Sequence, residues 1–196
     1  MNYLAHIYLS GENDALKIGN FIADSVKGKK YLEFPKGIQN GIMLHRKIDT
    51  FTDTHPVVRK SISRFSHDFG LYSGVITDIL YDHFLAANWN DFHLQSLEKY
   101  VAEFYDLLEQ NFAVLPKRVQ NFYPYMVKQN WLVSYASISG IEKILTQMNH
   151  RVKTGVELQK SIPEIKEHYD SFEREFRLFF EELKTFTNME KSKLDR

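Results

Sequence analysis

The chain has 196 residues, which suits a single domain with a substantial core. Its 25 basic and 25 acidic residues give a net charge of zero, so it lacks the strong basic bias of most nucleic-acid-binding proteins. The absence of cysteine excludes disulfides, thiolate metal sites and a cysteine nucleophile. No apolar run approaches the roughly 18 residues of a membrane span, and no secretory signal is visible at the N-terminus, so we expect a cytoplasmic protein that does not bind membranes.

We predict an all-α fold, a single compact helical bundle over residues 1–196. Sustained alternation of apolar and polar residues is missing, and Gly and Pro are sparse. In chain order the predicted helices cover about 2–10, 14–27, 36–52, 57–69, 72–90, 92–111, 116–124, 139–150 and 161–186. Ser73 is the predicted cap of the helix over 72–90, and Ser161 with Glu164 has the spacing of a capping box before the longest helix.

The helix over 72–90 contains polar side chains in an otherwise apolar and aromatic segment. Asp78 and Asp82 are separated by four residues and therefore share a helix face, and His83 can lean toward the same side. A buried carboxylate is costly unless it is paired, hydrogen-bonded or bound to a cation. We therefore predict that this helix forms one wall of a metal site.

Further imidazoles and carboxylates precede this helix. His6 lies in the first predicted helix, Asp24 interrupts the apolar end of the second, and His45, Asp49 and Asp53 follow at i, i+4 and i+8 on a third. Imidazole and carboxylate without sulfur suit manganese, iron, magnesium or zinc, and ligands from several helices can meet inside a bundle. This spacing favours a helical metallohydrolase, and no phosphate-loop, dinucleotide, HExxH or GxSxG motif points to another chemistry.

Each of these residues also has a structural interpretation. A lone His6 on an apolar helix could be a hydrogen-bonded core residue. His45 and Asp49 could form an ordinary surface pair. Asp53 could cap the helix that begins at Pro56.

Basic residues are concentrated in the first third of the chain. Residues 1–70 contain ten Lys and Arg against seven Asp and Glu, whereas the remainder contains fifteen against eighteen. Lys27, Lys29 and Lys30 form a loop that Lys36 completes, and this loop suits either an acidic or phosphorylated partner or plain solvation. Arg46 is a candidate phosphate clamp because guanidinium binds phosphate oxygens in a bidentate manner, and a solvent-facing Arg46 is the alternative.

Five segments in the same order resemble the acyl-carrier-protein phosphodiesterase family. They are MNYLAH at 1–6, GNFIADSVKG at 19–28, GIMLHRKIDTFTDTHPVVR at 41–59, TDILYDHFLAANW at 77–89 and QNWLVSYASISGIEKIL at 129–145. The resemblance covers most of the chain, and the combination of segments is specific although no single segment is.

The resemblance implies an all-helical, HD-domain-like fold that diverged from the HD metal-dependent phosphohydrolases. It also implies hydrolysis of the phosphodiester that joins 4′-phosphopantetheine to a serine of holo-acyl carrier protein, with Mn(II), or alternatively Mg(II), Fe(II) or Zn(II), as cofactor. The usual HD pattern has adjacent His-Asp, whereas Asp82-His83 stands here in reversed order, so ligands cannot be mapped one to one.

Residue roles follow from the resemblance as a hypothesis. Asp49 or Asp78 would take a proton from the attacking water, and Arg46 would neutralise phosphoryl oxygens. The expected metal ligands are His6, Asp24, His45, Asp82 and His83. The residues expected to dock the acidic carrier protein are Lys27, Lys29, Lys30, Lys36, Arg59 and Arg64. Two alternatives are a phosphohydrolase acting on a small nucleotide or phosphoester and a non-catalytic helical binding protein.

Overall fold

The structure, a computed structural model, describes residues 1–152 and 155–194, and the regular structure in these ranges is helical, with no β-strand. The all-α prediction is therefore confirmed, whereas kinship with the HD proteins stays a prediction. None of the described helices combines the length and apolar character needed to cross a bilayer. The α-helices are α1 (Tyr3–Leu9), α2 (Asp14–Ile22), α3 (Lys36–Thr54), α4 (Pro56–Phe69), α5 (Ser73–Ala87), α6 (Trp89–Phe92), α7 (Leu97–Gln110), α8 (Lys117–Lys128), α9 (Trp131–Ser134), α10 (Ile138–Met148), α11 (Ile162–Glu167) and α12 (Tyr169–Ser192).

The core surrounds α5, which is apolar on nearly every side. A helix that is apolar all round is buried all round, and α1, α4, α10 and α12 all contact α5. Aromatic rings from α12 cover one side of it: the ring of Tyr81 lies 5.6 Å from those of Phe176 and Phe179. The helix α5 is therefore the central helix of the domain, and α1, α4, α10 and α12 pack around it.

Two glycines allow α2 and α3 to cross at very short range. A Cβ atom added at Gly19 would lie 2.2 Å from the carbonyl oxygen of Ile38, and one added at Gly41 would lie 2.5 Å from that of Leu16. Both distances are far below contact range, so only glycine fits at either position. The crossing packs α2 against the N-terminal third of α3 and brings Asn20 within 3.2 Å of His45, one turn further along α3, where the candidate site forms.

Several predicted helix ends are wrong, each for a local reason. The helix predicted over 14–27 ends at Ile22 and continues as two 3₁₀ segments, Ala23–Ser25 and Gly28–Glu33. The helix predicted from 92 begins only at Leu97, after the Ser96 cap, and Leu94, which lies in the predicted helix, is fully exposed. Neither predicted serine cap forms, because the hydroxyls donate instead to nearby carbonyls, Ser73 to that of Gly70 and Ser161 to that of Leu158.

A buried ion pair joins α4 to α12. The Arg64 guanidinium donates to both carboxylate oxygens of Glu175, at 2.6 and 2.7 Å, and the Ser61 hydroxyl donates to the same carboxylate at 2.6 Å. Burial raises the pKa of Glu175, but the hydrogen bonds from Arg64, Ser61 and Lys60 outweigh burial and hold it at about 2. Arg64 was expected to dock the carrier protein. Its guanidinium instead pairs with Glu175, and its side chain is only 20% exposed.

This pair predicts a pH-dependent loss of stability in Glu175→Gln. The variant should lose about 3 kcal/mol of unfolding free energy at pH 7, since one partner of a buried pair is removed. Because the folded-state pKa lies below the ordinary value of 4.5, the stabilisation is complete above that value and is lost as the pH falls toward 2. The difference between wild type and variant should therefore shrink by about half at pH 3, measured by urea unfolding. Glu181→Gln, on the exposed side of α12, is the matched control, and a difference that stays constant with pH would contradict the prediction.

Candidate metal centre

Side chains from α1 and α3 meet at the crossing of the first three helices. The Asp49 carboxylate places Oδ1 3.2 Å from Nε2 of His6 and Oδ2 3.0 Å from Nε2 of His45. The two imidazole rings stack on each other with their centres 4.0 Å apart. His6 and His45 are buried, whereas the side chain of Asp49 is 40% exposed. The predicted His45–Asp49 contact along one helix face is confirmed.

Asn20 on α2 orients both rings. Its side-chain nitrogen donates to the carbonyl oxygen of His6 at 2.8 Å and to the hydroxyl of Ser10 at 3.0 Å. Since a carbonyl can only accept, the other end of the amide must be the oxygen, and it faces Nδ1 of His6 at 2.8 Å and Nδ1 of His45 at 3.2 Å. Both rings therefore carry a proton on Nδ1, and the Nε2 atoms are directed at Asp49.

The electrostatics of the two histidines differ. Burial, and then the neighbouring charge of His45, lower the pKa of His6 to about 4, so His6 is neutral at pH 7. Burial also lowers the pKa of His45, but hydrogen bonds to Asp24 and Asp49 outweigh it and raise that pKa to about 9. Burial raises the pKa of Asp49, yet its contacts with His45 and His6 hold that pKa well below the usual range.

The geometry of this cluster fits a divalent cation. The neutral His6 ring, protonated on Nδ1, presents a lone pair at Nε2 to a carboxylate oxygen, and Nε2 is buried without a hydrogen-bond partner. Two acceptors at 3.2 Å repel each other unless a cation lies between them. Bonds of about 2.0–2.2 Å from a metal to N and O ligands place neighbouring ligand atoms about 3 Å apart, close to the separations seen here. His6, His45 and Asp49 thus form a donor set of the right type and spacing.

Asp24 lies at the open side of the cluster. Its Oδ1 is 3.3 Å from Nε2 of His45, and its side chain is 64% exposed. The hydrogen bond to His45 lowers its pKa, so Asp24 is ionised at pH 7. The 3₁₀ segment Ala23–Ser25 turns the chain at this point and directs the carboxylate toward α3.

The helix α5, which the sequence predicts to form one wall of the metal site, has another role. Both carboxylate oxygens of Asp82 accept backbone N–H groups at the start of α1, from Asn2 at 3.1 Å and from Leu4 at 2.7 Å. His83 is turned away, with Nδ1 2.7 Å from the carbonyl oxygen of Tyr135 and Nε2 2.8 Å from the hydroxyl of Tyr169. The structure does not bring Asp82 or His83 into the cluster, since hydrogen bonds elsewhere already use their ligand atoms.

Three other expected site residues also lie elsewhere. Asp78 accepts a hydrogen bond from the Met1 amine at 2.7 Å. Arg46 donates to the carbonyl oxygens of Val26 and Gly28 and covers the ring of Tyr31, so its guanidinium braces the basic segment. Asp53 is exposed in the last turn of α3, and α4 has no side-chain cap.

Asn20 is the member of the candidate site that the sequence analysis missed. It is fully buried between two histidines, although it stands in a segment whose neighbours Phe21 and Ile22 read as an apolar stripe. The available signal was a polar amide inside that stripe. Its partners are 14 and 25 residues away, so no spacing along one helix could identify them.

Comparison with known proteins places the chain in a family. The family model described as "Acyl carrier protein phosphodiesterase" matches residues 1–183. A protein of that name from Photorhabdus laumondii is 32% identical over 92% of this chain and 91% of its own length. Those from Yersinia enterocolitica and Salmonella agona are 33% and 32% identical, each over 92% of this chain and 94% of their own lengths. No solved structure matches. The chain therefore belongs to the acyl carrier protein phosphodiesterase family.

Proposed function

We propose that this protein is a metal-dependent phosphodiesterase that hydrolyses the bond between 4′-phosphopantetheine and the serine of holo-acyl carrier protein. The observation that carries the proposal is the His6, His45 and Asp49 cluster in a chain of this family. Within the cluster, Nε2 of His6 is buried and has no hydrogen-bond partner. Hydrolysis of a phosphodiester needs charge stabilisation at phosphorus and an activated water. The neutral His6 ring, the His45 ring and the ionised Asp49 carboxylate could hold a metal ion that would supply both.

His6, His45 and Asp49 are the proposed ligands of the divalent ion. Nitrogen and oxygen donors without sulfur suit Mn(II), the first choice, and also Mg(II), Fe(II) or Zn(II). Such an ion supplies Lewis-acid chemistry, lowering the pKa of a bound water and offsetting phosphoryl charge. Asn20 holds the proton of each ring on Nδ1. Nε2 of His6 therefore has a free lone pair, and Nε2 of His45 would have one once the bound ion displaces its second proton.

Asp24 is the proposed acceptor of the proton that the attacking water loses. It is ionised, exposed, and attached to the cluster through a single contact with His45. Both oxygens of Asp49, by contrast, are already engaged with the two histidines. This assigns to Asp24 the role that the sequence suggested for Asp49 or Asp78.

The segment that follows Asp24 is the proposed docking surface for the carrier protein. Lys27, Lys29, Lys30 and Lys36 are all exposed on and around the 3₁₀ turn Gly28–Glu33. This surface adjoins the cluster and suits an acidic partner, which would be steered toward it by charge. A cytoplasmic location stays a prediction from the sequence.

Reversing the charge of this segment should weaken docking more than chemistry. The triple variant Lys27→Glu, Lys29→Glu, Lys30→Glu should raise KM for holo-acyl carrier protein about tenfold or more, with a much smaller change in kcat. The effect should fade as salt rises and the Debye length shortens. The matched control makes the same charge change at the exposed residues Lys99, Lys160 and Lys166. Equal KM changes in both triple variants would show that net charge, and not this segment, is responsible.

The proposed function is tested by incubating the protein with Mn(II) and holo-acyl carrier protein and weighing the product by mass spectrometry. Loss of the phosphopantetheine arm is the expected result, and it should stop when the metal is removed by a chelator. Activity confined to small phosphoesters would instead favour a phosphohydrolase with another substrate. Purified protein with neither bound metal nor manganese-dependent turnover would favour a binding protein.

A further inference from the structure

A cavity of about 380 Å³ opens beside the metal centre. Asp24 belongs to both: its carboxylate contacts His45 on one side and lines the cavity on the other. The remaining walls come from the start of α1 and from α5, α8, α9 and α10. A small molecule with one end at the cluster would therefore extend into this cavity.

The lining of the cavity is mixed in polarity. Phe122, Trp131, Ile144 and Met148 supply apolar surface, and the rings of Phe122 and Trp131 stack with centres 5.9 Å apart. Asn2, Asp78, Gln147 and Arg118 supply polar groups, and Asp78 is paired there with the Met1 amine. The volume lies within the roughly 300–1,000 Å³ of sites that bind small molecules, and such sites combine apolar walls with a few polar groups.

Arg118 is the notable cation of this cavity. It is exposed, and no ion pair or hydrogen bond engages its guanidinium within the described part of the chain. Arg46, the cation expected to meet phosphate, is held by backbone carbonyls outside the cavity. A guanidinium that lines a cavity and has no protein partner is available to oxygen atoms of a ligand.

We infer that this cavity binds the pantetheine arm of the substrate, with the phosphate end at the His6, His45 and Asp49 cluster and Arg118 contacting oxygen atoms of the arm. The inference rests on the proposed function, since it takes the arm as the group attached to the phosphodiester. The arm combines methyl and methylene groups with two amides, a hydroxyl and a terminal thiol, and this mixture matches the lining. Binding energy from the arm would then position the phosphorus atom at the cluster.

Nuclear magnetic resonance of the two tryptophan indole N–H groups tests the inference directly. Trp131 lines the cavity, whereas Trp89 is buried and its indole donates to the carbonyl oxygen of Gln95, so it serves as an internal control. In buffer containing Mg(II), 4′-phosphopantetheine should shift the Trp131 signal and leave that of Trp89 in place. Inorganic phosphate should shift neither signal. Lack of any Trp131 shift at saturating 4′-phosphopantetheine would overturn the inference.

Cavity-filling variants give a second, independent measurement. Ile144→Trp should weaken binding of 4′-phosphopantetheine at least tenfold by titration calorimetry, while Thr146→Trp, on an exposed face of the same helix, should bind as wild type does. Arg118→Ala should also weaken binding, in contrast to Lys117→Ala next to it. Unchanged binding in both Ile144→Trp and Arg118→Ala would reject the cavity.

Hydrolysis assays separate this inference from the proposed function. If wild type releases the arm from holo-acyl carrier protein and Ile144→Trp does so with the same KM, the function stands and the cavity is rejected. If wild type leaves holo-acyl carrier protein intact, the function is rejected whatever the tryptophan signals show. A raised KM in Ile144→Trp, together with weaker binding, supports both.

Discussion

Asp49→Asn is expected to abolish both metal binding and hydrolysis of holo-acyl carrier protein. The substitution keeps the size of the side chain but removes the charge that lies between His6 and His45 at 3.2 and 3.0 Å. A metal ion contributes several kcal/mol to charge stabilisation in the transition state, and each 1.36 kcal/mol corresponds to a factor of about ten in rate. We therefore expect kcat/KM to fall by at least about 10³. Metal content by elemental analysis and turnover by mass spectrometry are the two measurements.

Asp53→Asn is the matched control for Asp49→Asn. Asp53 lies one turn further along α3 and is exposed, so the control changes the same charge on the same helix without touching the cluster. It should retain metal and turnover, and both variants should keep the helical circular-dichroism signal. A fully active Asp49→Asn would show that the metal lies elsewhere.

Asp24→Asn should separate proton transfer from metal binding. As the proposed proton acceptor, Asp24 is needed for turnover but not for holding the ion, so the variant should keep its metal and lose about 10² or more in kcat. Loss of metal together with activity would make Asp24 a ligand, as the sequence first suggested.

The second large effect is expected from Asp82→Asn, and it is a loss of stability. The Asp82 carboxylate accepts hydrogen bonds from two backbone N–H groups at the start of α1. In the asparagine variant, the side-chain NH₂ group would face one of these N–H groups, and two donors cannot form a hydrogen bond with each other. Leaving a buried donor unsatisfied costs about 1–3 kcal/mol. Each kcal/mol lowers the melting temperature of a domain of this size by about 2–4 °C, so we expect a fall of about 2–12 °C. Calorimetry of the metal-free protein measures this, with Asp106→Asn on exposed α7 surface as control.

This variant also distinguishes the two interpretations of α5. If Asp82 supports α1, the substitution lowers the melting temperature. Metal affinity then weakens only indirectly, because the displaced α1 positions His6 less well. If Asp82 were a ligand, metal would be lost while the stability of the metal-free protein hardly changed. The second outcome would restore the site that the sequence predicted on α5.

The helix α5 shows how far a pattern along the chain can be interpreted. Polar side chains in an apolar helix correctly indicated that Asp78, Asp82 and His83 must have partners. The pattern could not identify those partners, because periodicity reports which face a residue occupies and not what covers that face. The partners of Asp82 proved to be backbone N–H groups of α1, which leave no trace in side-chain spacing.

Some contacts within the His6, His45 and Asp49 cluster can be predicted from the sequence, whereas others cannot. The contact of His45 with Asp49 follows from their i, i+4 spacing on one helix, and the sequence predicts it directly. The approach of Asn20 to His45 depends on the crossing of α2 and α3 at Gly19 and Gly41, and the approach of His6 to Asn20 depends on the packing of α1 against α2. Both glycines are visible in the sequence, but their role emerges only when a second backbone occupies the space that a Cβ atom would need.

By itself, the sequence determined the all-helical class, the absence of cysteine chemistry, the family and the pool of imidazoles and carboxylates from which the site is drawn. These properties depend on composition and on local or family-wide patterns. Only the tertiary structure decided which members of the pool meet: His6, Asp24, His45 and Asp49 do, whereas Asp78, Asp82 and His83 instead hold α5 to the rest of the fold. The physical reason is that a site assembled from several helices is defined by distances across the chain, and those distances are set by core packing and not by spacing along one helix.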